Sequence, residues 1–273
     1  SGPVSGFEQK NYTEFNKRLQ NQYAILEKYN VNCGEESLPM TYFLKPSKEG
    51  GYMTLYPYDS TITLHYRMKC ALCDTLFKIY ESTFRINHTS LLQVQPYKNN
   101  KVYGGTIEIP FDVHLAVNKN VEYETPFSDW YTAGGYEGLV DSKLGTLDFR
   151  DGSWQGFWGK DMECIIDFES EVKGISSVSA NFYQYSNSWI FIPKKMSAQI
   201  SEDGKNWTDW GKSISEVDLK LRGKFIHTLT INNNEEESFR YLKIKVKNVD
   251  KVPDWHEAAG SDAWIFIDEI SVK

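Results

Sequence analysis

Asp268-Glu269 is the single Asp-Glu dipeptide in the 273 residues, and two carboxylates are what acid/base cleavage of a glycosidic bond requires. The pair lies in the run Trp264-Ile265-Phe266-Ile267-Asp268-Glu269-Ile270, which reads as a strand. Neighbours on a strand point to opposite faces, so these carboxylates cannot converge on one oxygen without a special bend. A serine nucleophile has no Gly-x-Ser-x-Gly elbow to hold it. Gly104-Gly105 and Gly134-Gly135 precede no predicted helix, which excludes a phosphate cradle. Cys70-Ala71-Leu72-Cys73 has the spacing of half a zinc site, but no second Cys/His pair follows, so it reads as a hairpin tip with or without a local disulfide. The chain is read as non-catalytic.

Binding chemistry is better represented. A flat ring stacks on the C–H face of a sugar while polar groups take the hydroxyls directionally. Three segments combine both: Tyr183-Gln184-Tyr185-Ser186-Asn187-Ser188-Trp189, Arg150-Asp151-Gly152-Ser153-Trp154, and Asp254-Trp255-His256-Glu257. Candidate ligand residues are Tyr183, Tyr185, Asn187, Trp255 and His256, with Arg150 and Trp154 beside them. His65, His88, His114 and His227 are scattered and read as ordinary hydrogen-bonded histidines.

Composition points the same way. Aromatic residues make up 15% of the chain, including 17 Tyr and 8 Trp. The net charge is -7 and no long basic cluster occurs, so a nucleic-acid partner is excluded. No apolar run reaches the length of a membrane span.

The elements that must position these residues are mostly strands. Tyr12, Phe15, Leu19, Tyr23 and Leu26 recur at helical spacing behind an Asn11 cap, which predicts one helix over 11–29. Ile62, Leu64, Tyr66 and Met68 then alternate with polar residues, as do Val113, Leu115 and Val117 around His114. Farther on, Cys164/Ile166/Phe168, Val178/Ala180/Phe182, Met196/Ala198/Ile200 and Leu242/Ile244/Val246 are predicted inward faces. Asp203-Gly204 predicts a hairpin turn. The tetrapeptide Trp-Ile-Phe-Ile occurs at Trp189 and again at Trp264, and each copy is expected to be a core strand. The fold class is mainly β: residues 1–38 with the helix, 39–120 a small immunoglobulin-like β-sandwich, and 121–273 a jelly roll.

From Tyr131 to Lys273 an ordered series of motifs includes Leu139-Val140-Asp141, Trp154-Gln155-Gly156-Phe157, Ile166-Asp167-Phe168, Ser201-Glu202-Asp203-Gly204 and Trp264-Ile265-Phe266-Ile267-Asp268-Glu269-Ile270. The series resembles the discoidin-like, galactose-binding-like jelly roll of coagulation-factor C-type domains and family 32 carbohydrate-binding modules. The variant is similar to the one at the C-terminus of bacterial family 20 β-N-acetylhexosaminidases. Leu64-His65-Tyr66-Arg67 through Ser82-Thr83-Phe84 resembles their chitobiase-type β-module, and Phe15-Asn16-Lys17-Arg18-Leu19 through Asn32 resembles their last barrel helix. The family's His-x-Gly-x-Asp-Glu catalytic motif is absent.

The resemblance implies a non-catalytic accessory region of a periplasmic or cell-surface glycosidase, partnered by the catalytic barrel and by a glycan containing N-acetylhexosamine or galactose. It further implies an optional structural calcium at Asp141 and Glu269, whose hard oxygens suit that ion. No other cofactor is required. The alternatives are a bracing or dimerising module without ligand, and a binding module of another glycosidase such as an α-fucosidase.

Overall fold

The structure is a computed structural model that describes residues 39–47, 50–69, 76–233 and 237–273, together with positions 18, 22, 25, 26, 28 and 29. Arg18, Gln22, Ile25, Leu26 and Lys28 are helical, within the span predicted as a helix. Tyr12, Phe15, Leu19 and Tyr23 of its apolar stripe lie outside the described residues, as do Cys33, Cys70 and Cys73. The chain divides into two compact units: Ser1–Leu44, Met53–Phe84 and Leu91–Ile109 form one, and Lys45–Tyr52, Arg85–Ser90 and Pro110–Lys273 the other.

Before Pro110, β1 (Met40–Ser47), β2 (Gly50–Pro57) and β5 (Phe84–Ile86) form one sheet. A second sheet runs β4 (Lys78–Ile79), β3 (Ile62–Lys69), β6 (Ser90–Lys98) and β7 (Lys101–Val102), with β8 (Ile107–Phe111) also paired to β6. The predicted alternation holds at Ile62 and Leu64, which are buried and share the core with Leu92 and Val94.

The larger unit is a two-sheet antiparallel jelly roll. One sheet has the order β10 (Gln155–Trp158), β17 (Trp264–Val272), β12 (Ser177–Tyr185), β15 (Lys224–Asn232). The other runs β14 (Thr208–Ile214), β13 (Lys195–Ser201), β16 (Phe239–Lys247), β11 (Met162–Val172), β9 (Asn120–Tyr123). All four predicted inward faces are buried in one shared core with Ile265, Ile267, Leu229 and Ile231. Burying residues of that size contributes about 1.5–3 kcal/mol each before conformational entropy is subtracted. β13 and β14 pair across the Asp203-Gly204 turn as expected, with Ile200 opposite Thr208.

Two strand expectations are corrected. Val113, Leu115 and Val117 lie in irregular turns between β8 and β9, with Leu115 exposed and His114 buried. Polar contacts explain this: Asp112 accepts hydrogen bonds from Ser271 Oγ (2.6 Å) and Lys273 Nζ (2.9 Å), which turns the polar positions inward. The first Trp-Ile-Phe-Ile copy is not a strand either. Ser186–Ser188 forms a 3-10 turn and Trp189 adopts a left-handed φ of 61°, so the chain swings Ile190 onto the second copy. Ile190 bridges Trp264 in parallel, Trp264 N donates to Trp189 O (2.8 Å), and Phe191 N donates to Trp264 O (3.2 Å). The doubled tetrapeptide is thus a pair of segments fastened to each other.

Candidate functional site

β12 ends at Tyr185 and the 3-10 turn follows, placing Asn187 exposed at the tip and leaving Tyr185 half-buried. Tyr183 lies two residues back and has 0% exposure. Its hydroxyl donates to Leu147 O at 2.7 Å, which ties the loop from Leu144 to Ser153 onto the sheet. Trp154, at 1% exposure, packs edge-on against Tyr183 with ring centroids 5.2 Å apart and donates from Nε1 to Thr146 O at 3.0 Å. Both were candidate ligand residues and both are instead sealed beneath the loop, where their polar tips are already satisfied. A Cβ at Gly145 would collide with the Trp154 indole, so only glycine admits this packing.

The loop above them is fixed by its own carboxylates. Asp151 accepts from Thr146 N (2.6 Å) and Ser153 N (2.8 Å), and Asp148 accepts from Arg150 N (3.1 Å). These Asx contacts hold the backbone without help from strands. Arg150 is exposed on this frame, with its guanidinium 4.5 Å from the Phe149 ring centre. A shallow groove runs beside it, lined by Trp130, Thr132, Gly134, Phe149, Arg150 and Gly152. Trp130 is 84% exposed, which for an indole is a large apolar surface held in water. The sequence reading missed it. The available signal was Ser128, whose hydroxyl accepts from Trp130 N (3.2 Å) and whose carbonyl accepts from Tyr131 N (3.1 Å), a turn that projects the ring.

The other candidates form a separate cluster. Trp255 packs edge-on against Phe191 (6.5 Å) and His256 (5.4 Å). His256 Nδ1 accepts from Ala258 N at 3.0 Å, and the buried Trp255 Nε1 has no hydrogen-bond partner among the described residues. The structure therefore brings Arg150 and Tyr185 together around Phe149, with ring centres of Phe149 and Tyr185 6.4 Å apart, and sets Trp255 and His256 with Phe191.

A buried polar centre lies under the Asp141 loop. The β12–β17 register slips between Ala180 opposite Ile270 and Phe182 opposite Ile267, a bulge that lets both Asp268 and Glu269 turn inward, at 0% and 1% exposure. This is the bend that adjacent carboxylates need, but each serves a different partner set in a closed interior. Asp268 accepts from Gly145 N (2.9 Å) and Asn181 Nδ2 (3.3 Å), and burial pushes its pKa up to about 7. Glu269 Oε1 accepts from Ser142 N (2.9 Å) and faces His114 Nε2 (2.7 Å). Burial first, and then the nearby Asp141 charge, raise the Glu269 pKa, while burial lowers that of His114 to about 4. Asp141 accepts from Lys143 N (2.9 Å) and pairs with the Lys143 ammonium. Glu269 Oε2 and Ser142 Oγ are buried with no hydrogen-bond partner among the described residues.

No family profile and no curated protein matches the chain. Solved structures that match it include the Clostridium perfringens module CpGH89CBM32-6, at 15% identity over 59% of this chain and 98% of that one, with a TM-score of 0.35. The C-terminal domain of a chitobiase from Bacteroides fragilis matches at 19% identity over 56% of this chain and 93% of its own length, TM-score 0.30. A putative α-L-fucosidase from Bacteroides thetaiotaomicron matches at 13% identity over 58% of this chain and 28% of its own, TM-score 0.36.

Proposed function

We propose that the chain is a glycan-binding accessory region of a glycoside hydrolase, in the manner of the discoidin-like C-terminal modules of β-N-acetylhexosaminidases. The observation that carries this reading is Trp130, an indole standing 84% exposed beside Arg150 over a loop locked by Asp148 and Asp151. An open ring face next to a fixed cation and backbone polar groups is the arrangement that a saccharide uses, since stacking and directional hydrogen bonds act together. A rigid loop also lowers the ordering cost of binding. No helix among the described residues is long and apolar enough to cross a membrane. A periplasmic or cell-surface location belongs to this reading.

Glycan-array screening of the intact chain, followed by titration of Trp130→Ala and Arg150→Ala, tests it. Each variant is expected to weaken binding by at least roughly tenfold, the scale of one lost stacking or charge-assisted contact. Binding that survives both changes, or no saccharide bound at all, would sink the reading.

We propose further a structural calcium under the bulge. What supports it is that Glu269 Oε2 and Ser142 Oγ are buried oxygens with no hydrogen-bond partner among the described residues and that the Asp141 charge helps raise the Glu269 pKa; no cluster of three or more His, Cys, Asp or Glu side chains suited to a metal occurs among the described residues. The ion would offset two buried carboxylates, with Lys143 as the competing cation on Asp141.

A further inference from the structure

Most cations of the jelly roll are matched to a carboxylate: Lys119 to Glu169, Lys194 to Asp250, Arg240 to Asp167, Lys251 to Asp262 and Lys273 to Asp112. Arg150, Arg222 and Lys224 are exposed and, like Lys160, Lys195, Lys205, Lys212 and Lys220, have no carboxylate partner among the described residues. What sets Arg150, Arg222 and Lys224 apart from the other five is that each of the three sits over an aromatic ring. Arg150 lies 4.5 Å from the Phe149 centroid, Lys224 4.8 Å from that of Tyr185, and Arg222 5.0 Å from that of Trp255.

Arg150 and Lys224 sit on the Phe149–Tyr185 cluster, and Arg222 sits on the separate Trp255 cluster, linked to the first through the backbone of Arg222-Gly223-Lys224. Phe149 and Tyr185 are 6.4 Å apart, and Tyr185 and Lys224 are register partners across β12 and β15. Arg222-Gly223-Lys224 then spans from Tyr185 to Trp255 and delivers one cation to each. Leu221 O accepts from Gln184 Nε2 (3.3 Å), which anchors that segment beside the Tyr185 turn. Carboxylates stand near both ends of this series: Asp148 and Asp151 beside Arg150, held in place by backbone N–H groups that leave their charge intact, and Asp254 and Glu257 on the Trp255 loop. Arg150 and Lys224 lie nearest Trp130 along the rings, through Phe149 and Tyr185, and are therefore the pair expected to weigh most.

A cation on a ring occupies the face that a neutral sugar would stack on, and presents donors suited to carboxylate or sulfate oxygens. Among the described residues Trp130 has no ring or cation partner of this kind, and it is 84% exposed. We propose, resting on the glycan-binding reading above, that the preferred saccharide is acidic: Trp130 takes the sugar face, and Arg150, Lys224 and Arg222 take its anionic groups.

Affinity electrophoresis of the full chain in gels containing polygalacturonate, carrageenan or neutral galactan tests this, alongside titration with neutral chitohexaose. The acidic polymers should retard the chain and the neutral ones much less, with retardation falling as salt is raised. Polygalacturonate against carrageenan separates a carboxylate preference from a sulfate preference. Arg150→Gln and Lys224→Gln should each weaken acidic binding roughly tenfold. Lys195→Gln/Lys212→Gln, on the outer face of the five-stranded sheet, should leave it unchanged. All of these positions are surface side chains, and an unchanged melting temperature checks that the variants fold. Equal binding of neutral saccharides that depends on Trp130 would overturn the acidic preference and leave the glycan reading standing. Acidic binding lost in the Lys195/Lys212 variant and kept in the Arg150 and Lys224 variants would overturn the assignment to this surface. Failure to bind any saccharide would overturn both.

Discussion

At the scale of single residues, solvent and partners decide function more than type does. Tyr183 and Tyr185 are the same residue two positions apart, yet one is fully buried under the Leu147 carbonyl and the other is half-exposed beside Lys224. Glu269 shows the same dependence, since its Oε2 has no donor among the described residues while Oε1 has two neighbours. Calcium is expected to raise the melting temperature of the chain by a few degrees at millimolar concentration, as any ligand that binds only the folded state does. Glu269→Gln should abolish that response while leaving glycan affinity within about threefold. Differential scanning calorimetry with calcium and with a chelator checks it, and an identical melting temperature in both would reject the site.

At the scale of elements, the β13–β14 hairpin depends on one side chain. Asp203 accepts from Asn206 N and Lys205 N at 2.8 Å each and from Asn206 Nδ2 at 2.7 Å, which holds its pKa below the usual carboxylate range. A carboxylate with a depressed folded-state pKa contributes stability above its unfolded pKa of about 3.9, and loses it as pH falls toward the folded value. Protection factors at Lys205 and Asn206, with the intrinsic pH dependence of exchange divided out, should therefore fall below about pH 4, and Asp203→Asn should flatten that dependence. Constant protection down to pH 2.5 would contradict the role given to Asp203. The hairpin and the four inward faces were legible because alternation and Asp-Gly act locally. The Val113–Val117 alternation misled because Asp112 and His114 answer to β17, more than 150 positions away. Trp189 was likewise unreadable as a left-handed residue, its conformation being imposed by the bridge to Trp264. Arg222 and Lys224 carry no periodicity, so their positions over Trp255 and Tyr185 are visible only in three dimensions, whereas Trp130 had a local signal in Ser128.

At the scale of the whole molecule, the jelly roll closes on a segment that precedes its first strand. Asp112 joins Ser271 and Lys273, His114 joins Glu269, Leu115 N donates to Val272 O (2.9 Å), and Ala116 sits in the main core. A fragment beginning at Pro110 should thus outlast one beginning at Val121 by about 3 kcal/mol, the scale of breaking a buried polar pair. Urea unfolding of the two fragments measures the difference, and equal midpoints with equal slopes would refute it. The fastening of the two Trp-Ile-Phe-Ile copies has another consequence. It brings Trp189 to 5.8 Å from Trp158, which already lies 4.7 Å from its β17 register partner Trp264, so three indoles stand in series next to the Tyr185 turn. Chromophores that close share their excited states, so the molecule is expected to carry an internal optical label, a far-ultraviolet circular-dichroism couplet that reports the geometry of the Tyr185 turn without any dye.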